Sequence, residues 1–182
     1  MIKKPNVIKL NQIADVMYEK FKNKSYINCY IGSNSATPTA SIEALSESIK
    51  SGHPNLPFIK MIHLLLFGNV PYVAAGFQDK IKAYAIFSGG GVTKAANEGR
   101  AYYLPCNLGN MEEVLLGKGC RYEPDVVILK VTQNEHTNEY STGLSVEAIH
   151  TAIDNAKIVI AEFDKNMPFT LGQSLLHPNS ID

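Results

Sequence analysis

The sequence has no surplus of either charge, because its seventeen basic and seventeen acidic side chains cancel. No lysine- or arginine-rich tract breaks this balance. A partner held mainly by electrostatic attraction, such as nucleic acid, is therefore disfavoured. A small-molecule substrate or a protein partner fits the composition better.

Long apolar runs are also missing. The longest is Met61–Phe67, which His63 interrupts, and it is too short to span a bilayer. The first fifteen residues lack the apolar core of a secretory signal. We therefore expect no membrane partner, and we expect His63 to be a buried sheet residue.

Cysteine is scarce and unpaired. The chain has three cysteines, an odd number, and no CxxC pair. This pattern argues against a disulfide framework and favours reduced thiols in the cytoplasm. The histidines show no metal-ligand spacing with one another or with cysteine, so we predict no metal site.

Short apolar runs alternate with helical patterns along the chain. Strands buried on both faces are predicted at Tyr26–Ile31, Phe58–Phe67, Ala83–Phe87, Val126–Val131 and Ile158–Phe163. Helices are predicted at Leu10–Phe21, Pro38–Ile49, Val92–Glu98, Met111–Leu116 and Val146–Ala156, the last with Ser145 and Glu147 at its start. The alternation predicts one α/β domain over residues 1–182, with an open, mostly parallel sheet flanked by helices.

A loop of small residues, Gly32–Pro38, follows the first predicted strand. Ligands of open α/β sheets bind outside the carboxyl ends of the strands. Thr37 and Pro38 suit the N-cap and the first position of the next helix. The loop and the helix terminus would then present N–H groups to a carboxylate, a thioester oxyanion or a phosphate. An ordinary strand-to-helix turn is the alternative interpretation.

Three other polar segments are weaker candidates. Asn97–Arg100 follows a glycine-rich turn that could face a ligand, but a glycine-capped helix with a Glu98–Arg100 ion pair is the favoured interpretation. Glu135 and His136 suggest acid–base chemistry, although neighbours on an extended segment point in opposite directions, so a solvated hairpin is the alternative. Glu162 and Asp164 end the last predicted strand, and a carboxylate there could form an acyl intermediate.

Five segments together resemble the acetyl-CoA hydrolase/transferase family, in particular its 4-hydroxybutyrate and butyrate–acetate CoA-transferases. They occur in family order and cover most of the chain from about Leu10. The segments are Gly32–Pro38, Asn97–Pro105, Pro124–His136, Ser141–Glu147 and Ile160–His177. Two departures stand out: Asn134–Thr137 reads N-E-H-T where the family reads D-E-H-G, and Gly91–Lys94 lacks an arginine that many members carry.

The resemblance implies a two-domain enzyme whose halves both have the open α/β fold of family I CoA-transferases, the NagB/RpiA-like fold. In that family the second half supplies a glutamate that attacks an acyl-CoA and forms a glutamyl-CoA thioester. Nothing in residues 1–182 matches that segment, so the resemblance implies that the carboxy-terminal catalytic domain is absent and that this chain alone is inactive. The implied substrates are coenzyme A, as an acyl-CoA, and a short-chain carboxylate.

The resemblance also assigns residues. Gly32, Ser33, Ala36, Thr37 and Pro38 match the loop that faces the acyl group, and we expect them to bind substrate. A pocket-shaping or domain-docking role falls to the residues of the other motifs, Asn97, Glu98, Gly99, Arg100, Asn166, Met167, Pro168 and Thr170.

Two hypotheses follow. In the first, the domain completes a CoA-transferase or hydrolase pocket with a second half or subunit. In the second, it is a non-catalytic α/β module that binds a small carboxylate, coenzyme A or a protein. A domain made to pack on a partner should expose an unusually large apolar face, so we also expect self-association into a homo-oligomer.

Overall fold

The computed structural model describes residues 5–134 and 136–182. Its strands are β1 (Tyr26–Ile31), β2 (Phe58–His63), β3 (Ile81–Ala85), β4 (Ala101–Tyr103), β5 (Val126–Gln133), β6 (Tyr140–Ser141), β7 (Ile158–Phe163) and β8 (Leu175–Leu176). Its α-helices are α1 (Ile13–Phe21), α2 (Thr39–Ser51), α3 (Gly90–Asn97) and α4 (Ile149–Asn155). A π-helical turn covers Glu112–Leu116.

The strands form one sheet in the order β4-β3-β2-β1-β5, and β7 pairs with β5. All of these pairings are parallel. The short β6 and β8 add an antiparallel extension at the carboxyl end of β5. The predicted open, mostly parallel α/β sheet with flanking helices is confirmed.

Several element boundaries differ from prediction, most of them by two residues or fewer. The second strand ends at His63, and β3 runs from Ile81 to Ala85 instead of Ala83–Phe87. The last helix begins at Ile149, because Ser145 and Glu147 lie in the preceding loop. The strands β4, β6 and β8 were not predicted, since two or three residues carry no detectable periodicity.

Apolar side chains cover both faces of the sheet, which explains the continuous apolar runs. On the first face, α2 and α3 pack over the strands through residues that include Ile31, Ile42, Leu45, Met61, Ala83 and Val92. On the second face, α4 and the π-helical turn pack through residues that include Tyr30, Ile62, Leu116, Val127, Leu129 and Ile149. Successive residues of a strand alternate between these two cores.

His63 lies in the middle of the sheet, between Ile31 of β1 and Ala85 of β3, and is fully buried. Neither ring nitrogen has a hydrogen-bond partner among the described residues. Burial disfavours the charged imidazolium and lowers the His63 pKa to about 4. The prediction of a buried sheet histidine is confirmed.

This histidine should make the domain sensitive to acid. Because the unfolded chain binds a proton at His63 near pH 6.5 and the folded chain only near pH 4, stability should fall as the pH drops through this window. Between pH 7 and pH 5 the loss should be about 2 kcal/mol. Urea unfolding at both pH values should show a smaller loss in His63→Phe. An equal loss in His63→Phe and in the exposed-site control His136→Phe would contradict this assignment.

Candidate functional site

The Gly32–Pro38 loop begins at the end of β1, beside the central strand β5. The Gly32 N–H donates to the Ile128 carbonyl at 2.9 Å. A Cβ atom at Gly32 would lie 3.3 Å from the Leu129 Cα, which is tighter than backbone normally allows. The close approach of the neighbouring strand therefore favours glycine at this position, and the loop that follows lies at the carboxyl edge of the sheet.

Two hydroxyl groups tie this loop to the neighbouring connection after β2. Ser33 Oγ donates to the Ile31 carbonyl and accepts from the Leu64 N–H, both at 3.1 Å. Thr37 Oγ1 donates to the Asn34 carbonyl at 2.7 Å and accepts from the Phe67 N–H at 3.0 Å. The prediction that Thr37 caps the helix is wrong, because α2 begins at Thr39 and its N-cap position is Pro38.

All five predicted substrate-binding residues lie beneath the surface. Gly32, Ser33, Ala36, Thr37 and Pro38 are all buried, whereas Asn34 is half-buried and Ser35 is exposed. The first five therefore form the support of the loop, and the accessible groups belong to Asn34 and Ser35. Contact between these five buried residues and a substrate stays a prediction.

The amino terminus of α2 already holds an anion from the chain itself. The Ser41 N–H donates to Glu162 Oε2 at 2.7 Å. Lys130 Nζ lies 3.6 Å from the other oxygen of Glu162 and 3.7 Å from Asp164 Oδ2. The helix terminus that the sequence suggested for a ligand is thus filled by the carboxylate of β7.

Asn34 pairs with Glu147, which the sequence had suggested only as a residue of a helix start. The Asn34 backbone has a positive φ of 53°. Its side-chain N–H donates to Glu147 Oε1 in a short hydrogen bond. Asn34 and Glu147 are 113 positions apart, so no local pattern could reveal the pair. The structure brings both to the carboxyl edge of the sheet.

Glu147 lies in an environment that disfavours its charge. Burial raises its pKa, and hydrogen bonds from Asn34 and Ser145 offset only part of that shift. The buried hydroxyl of Tyr30 has no hydrogen-bond partner in the described chain, and its pKa is raised by burial and then by the charge of Glu147. The edge therefore carries a carboxyl group that gains a proton more readily than an ordinary glutamate.

The Asn97–Arg100 motif lies elsewhere. It immediately precedes β4, so it is at the amino end of a parallel strand, opposite to the Gly32–Pro38 loop. Gly99 has a positive φ of 75° and ends α3, and Arg100 forms an ion pair with Glu98. The structure shows the glycine-capped helix with a local ion pair and does not bring this motif to the loop. A docking role for Asn97, Glu98, Gly99 and Arg100 stays a prediction.

The motif at 166–170 interlocks with the segment Ser141–Gly143. Met167 is buried against Gly143, where a Cβ atom would lie 2.7 Å from the Met167 Cγ. The Thr170 N–H donates to Ser141 Oγ at 3.2 Å. Asn166 and Pro168 are exposed. Met167 and Thr170 therefore join two segments of this domain, which leaves Asn166 and Pro168 as the members of the motif accessible to a partner.

The remaining sequence candidates gain little support. Glu135 lies outside the described residues, and the exposed His136 donates its backbone N–H to Asn134 Oδ1.

Within the described chain, no three His, Cys, Asp or Glu side chains cluster closely enough to hold a metal ion. Nor does any helix in residues 5–134 and 136–182 combine the length and apolar character needed to cross a membrane.

A cleft of about 770 Å³ runs beside β7. Its lining includes Val7, Leu10, Val131, Ile158, Ile160, Ala161 and Phe163. On the outer edge of β7, the Val159 N–H and carbonyl bond to Asp182 at 2.9 and 3.1 Å. Because backbone direction alternates along a strand, the N–H and carbonyl groups of Ala161 and Phe163 also point outward, towards this cleft.

The fold and the loops at the carboxyl edge of the sheet together define the class of this domain. It is an open parallel α/β domain whose loops bring polar side chains together at the carboxyl ends of its strands. The chain belongs to the family described as acetyl-CoA hydrolase/transferase N-terminal domain, whose model matches residues 8–182. The predicted family is confirmed.

Two curated relatives share substantial sequence. The chain is 36% identical over 124 residues to the 4-hydroxybutyrate coenzyme A transferase of Clostridium kluyveri, covering 68% of this chain and 28% of that protein. It is 31% identical over 158 residues to the succinyl-CoA:acetate/propanoyl-CoA:succinate CoA transferase of Fasciola hepatica, covering 87% of this chain and 32% of that protein. The chain thus matches about a third of the length of these relatives.

Solved structures show the same fold at low sequence identity. RipA from Yersinia pestis superposes with a TM-score of 0.74 at 16% identity, over 96% of this chain and 43% of that one. A 4-hydroxybutyrate CoA-transferase from Porphyromonas gingivalis superposes with a TM-score of 0.64 at 20% identity, over 96% of this chain and 37% of that one.

The Asn34–Glu147 pair leads to a measurable pH effect. Since the folded state raises the Glu147 pKa, the folded chain holds this proton to higher pH than the unfolded chain, and stability is lost as the pH rises through that window. Glu147→Gln does not titrate, so its stability relative to the wild type should increase from pH 4 to pH 7 in urea unfolding. The exposed-site control Glu43→Gln should show no such trend; a flat difference for Glu147→Gln would refute the assignment.

Proposed function

We propose that this chain is the amino-terminal domain of an acyl-CoA:carboxylate CoA-transferase or acetyl-CoA hydrolase. Its role is to supply one wall of the acyl pocket. The observation that carries this proposal is the position of Asn34 and Ser35: they are the accessible residues of the family-matching loop, at the sheet edge where α/β domains bind ligands. Membership of the family and the transferase names of both relatives favour this over a non-catalytic module.

The proposed reaction moves coenzyme A between an acyl-CoA and a free carboxylate. A glutamate of the second half attacks the thioester carbonyl, and the coenzyme A thiolate leaves. The thiolate then attacks the resulting anhydride at the glutamyl carbonyl, which forms the glutamyl-CoA thioester and releases the first carboxylate. An acceptor carboxylate reverses these steps, and water in its place gives hydrolysis.

Within this scheme, the role of this chain is to bind and orient the acyl group and the incoming carboxylate. Glu147 holds one N–H of the Asn34 side chain, which fixes the amide plane. The amide has a second N–H, and with the exposed Ser35 it provides polar contacts for the acyl oxygen or the incoming carboxylate. We assign no nucleophilic role to Glu162, because Ser41 and Lys130 contact its two oxygens.

The second half or subunit is proposed to dock on the β7 cleft. Four residues that line it are unusually exposed for apolar side chains: Val7 at 99%, Ile8 at 37%, Leu10 at 45% and Phe163 at 58%. The outward backbone groups of Ala161 and Phe163 suit an added extended segment. Apolar side chains and outward-pointing strand-edge groups together favour a protein occupant over a small ligand.

The catalytic proposal predicts activity only in combination. The purified chain should show no exchange between an acyl-CoA and labelled acetate, and adding a carboxy-terminal half as a separate chain should restore it. Asn34→Ala should lower the restored kcat/KM about tenfold or more, because the positioned amide is lost. The exposed-site control Asn110→Ala should leave the rate unchanged. Exchange by the isolated chain would refute the requirement for a second half.

The docking proposal predicts self-association of the isolated chain, because its exposed apolar cleft lacks a cover. Sedimentation at increasing concentration should show dimers or larger species. Val7→Glu should shift the chain towards monomer, since it places a charge on the apolar lining. Val114, also 57% exposed but outside the cleft, provides the matched control Val114→Glu. A monomeric wild type at all concentrations, or an equal effect of both variants, would contradict docking here.

A further inference from the structure

A second polar surface lies on the second face of the sheet, at the amino ends of β1 and β2 and along the outer strands β3 and β4. Register aligns Asn28, Lys60 and Lys82 across β1, β2 and β3, and Tyr84 with Tyr102 across β3 and β4. We call this surface the tyrosine–cation face. It comprises Tyr26, Lys60, Lys82, Tyr84, Tyr102, Arg121 and Tyr122.

The topology leaves this face without a helix over it. The connections from β1 to β4 include α2 and α3, and both helices pack on the first face. On the second face, α4 and the π-helical turn cover the carboxyl halves, where Tyr30, Ile62 and Ile86 are fully buried. At the amino end of β1, Tyr26 is 39% exposed, and on the edge strand β4, Tyr102 is 49% exposed.

Each cation of this face lies near a tyrosine ring. Lys60 Nζ is 3.5 Å from the ring centroid of Tyr26, and Lys82 Nζ is 4.7 Å from that of Tyr102. Arg121 Cζ is 5.8 Å from the Tyr122 centroid. The rings also contact one another, since Tyr84 lies 5.0 Å from Tyr102 and 5.6 Å from Tyr122. These contacts hold the cations against the sheet instead of leaving them extended in solvent.

Within the part of the chain that the structure describes, the positive charge of this face has no close counter-ion. The nearby Lys24 is paired with Asp125, at 2.6 Å, and Arg100 with Glu98. Among the described residues, no carboxylate oxygen lies within 4 Å of Lys60, Lys82 or Arg121. The Lys60 pKa is lowered by burial and then by the charges of Arg121 and Lys24, as expected where cations gather without a counter-ion.

We infer that the tyrosine–cation face binds a nucleoside phosphate, with Lys60, Lys82 and Arg121 contacting the phosphate groups and the exposed rings of Tyr26 and Tyr102 contacting the base. Lys60 and Lys82 are register partners on adjacent strands, about 5 Å apart at the backbone, so both ammonium groups can reach one phosphate. Tyrosine rings accept a base by stacking, and guanidinium suits phosphate geometry.

The size of the surface and the overall charge favour a small ligand over a nucleic acid. Four adjacent strands span only about 15 Å across the sheet. A polynucleotide would need a longer basic stripe, whereas the whole chain has a net charge of zero. Tyr26, Lys60 and Lys82 lie towards the opposite strand ends from Asn34, with Tyr26 about 20 Å away along β1, so the phosphate-contacting part of the face is separate from the proposed acyl pocket.

The test is a calorimetric titration of the purified 182-residue chain with ATP, AMP, adenosine and inorganic phosphate. ATP should bind most tightly, and its affinity should fall as the salt concentration rises. The double variant Lys60→Gln/Lys82→Gln should weaken ATP binding at least tenfold. Tyr102→Leu should weaken ATP and AMP binding and leave the affinity for inorganic phosphate unchanged.

The control Lys50→Gln removes one exposed lysine of α2 on the other side of the sheet and should leave ATP binding unchanged. Circular dichroism should confirm that each variant is folded. No ATP binding, equal affinity for ATP and inorganic phosphate, or an equal loss in Lys50→Gln would each overturn the inference. None of these measurements uses transferase activity, so this proposal and the proposed function fail independently.

Discussion

The parallel strands β1 to β4 constrain the rest of the structure, because the helices in their connections pack on a single face of the sheet. Parallel pairing places every carboxyl end at one edge, and loops from distant parts of the chain meet there. Asn34 and Glu147 come together for this reason. The same arrangement leaves the amino ends of these strands without a helix on the second face. The loop edge and the tyrosine–cation face are thus two consequences of one topology.

Much of this fold could be predicted from the sequence, because its main strands are apolar on both faces and its helices lie between them at regular spacing. The run Ile158–Phe163 corresponds to β7 without change. The errors have local causes. Strands of two or three residues, such as β6, carry no periodicity, and their existence depends on partners elsewhere in the chain. The start of α4 was misplaced because Glu147 bonds to Asn34 across the sheet edge, outside the helix.

The candidate site was predictable only as a location. A loop of small residues after a buried strand indicated Gly32–Pro38, but its sequence does not show which side chains face solvent. Ser33 and Thr37 are buried because they bond to Leu64 and Phe67 of another connection, and those bonds are tertiary. The Asn97–Arg100 motif could not be assigned to an edge at all, since the short strand β4 that follows it was not recognised. The order of motifs along the chain shows which edge of the sheet each motif occupies only when every strand has been recognised.

The carboxylates at the carboxyl edge of the sheet give a reason to propose that a second half of the enzyme supplies the nucleophile. A nucleophilic carboxylate needs an oxygen that can reach the thioester carbon. One oxygen of Glu162 accepts from Ser41 at the amino terminus of α2, and Lys130 lies near the other, so this side chain stabilises the helix. Glu147 is half-buried, its pKa is raised, and it binds the amide of Asn34. Both carboxylates are thus engaged in holding the loop and helix in place, while Asn34 and Ser35 offer an amide and a hydroxyl. Such an edge is suited to orienting an acyl group, and this supports a division of labour in which the attacking group comes from the partner.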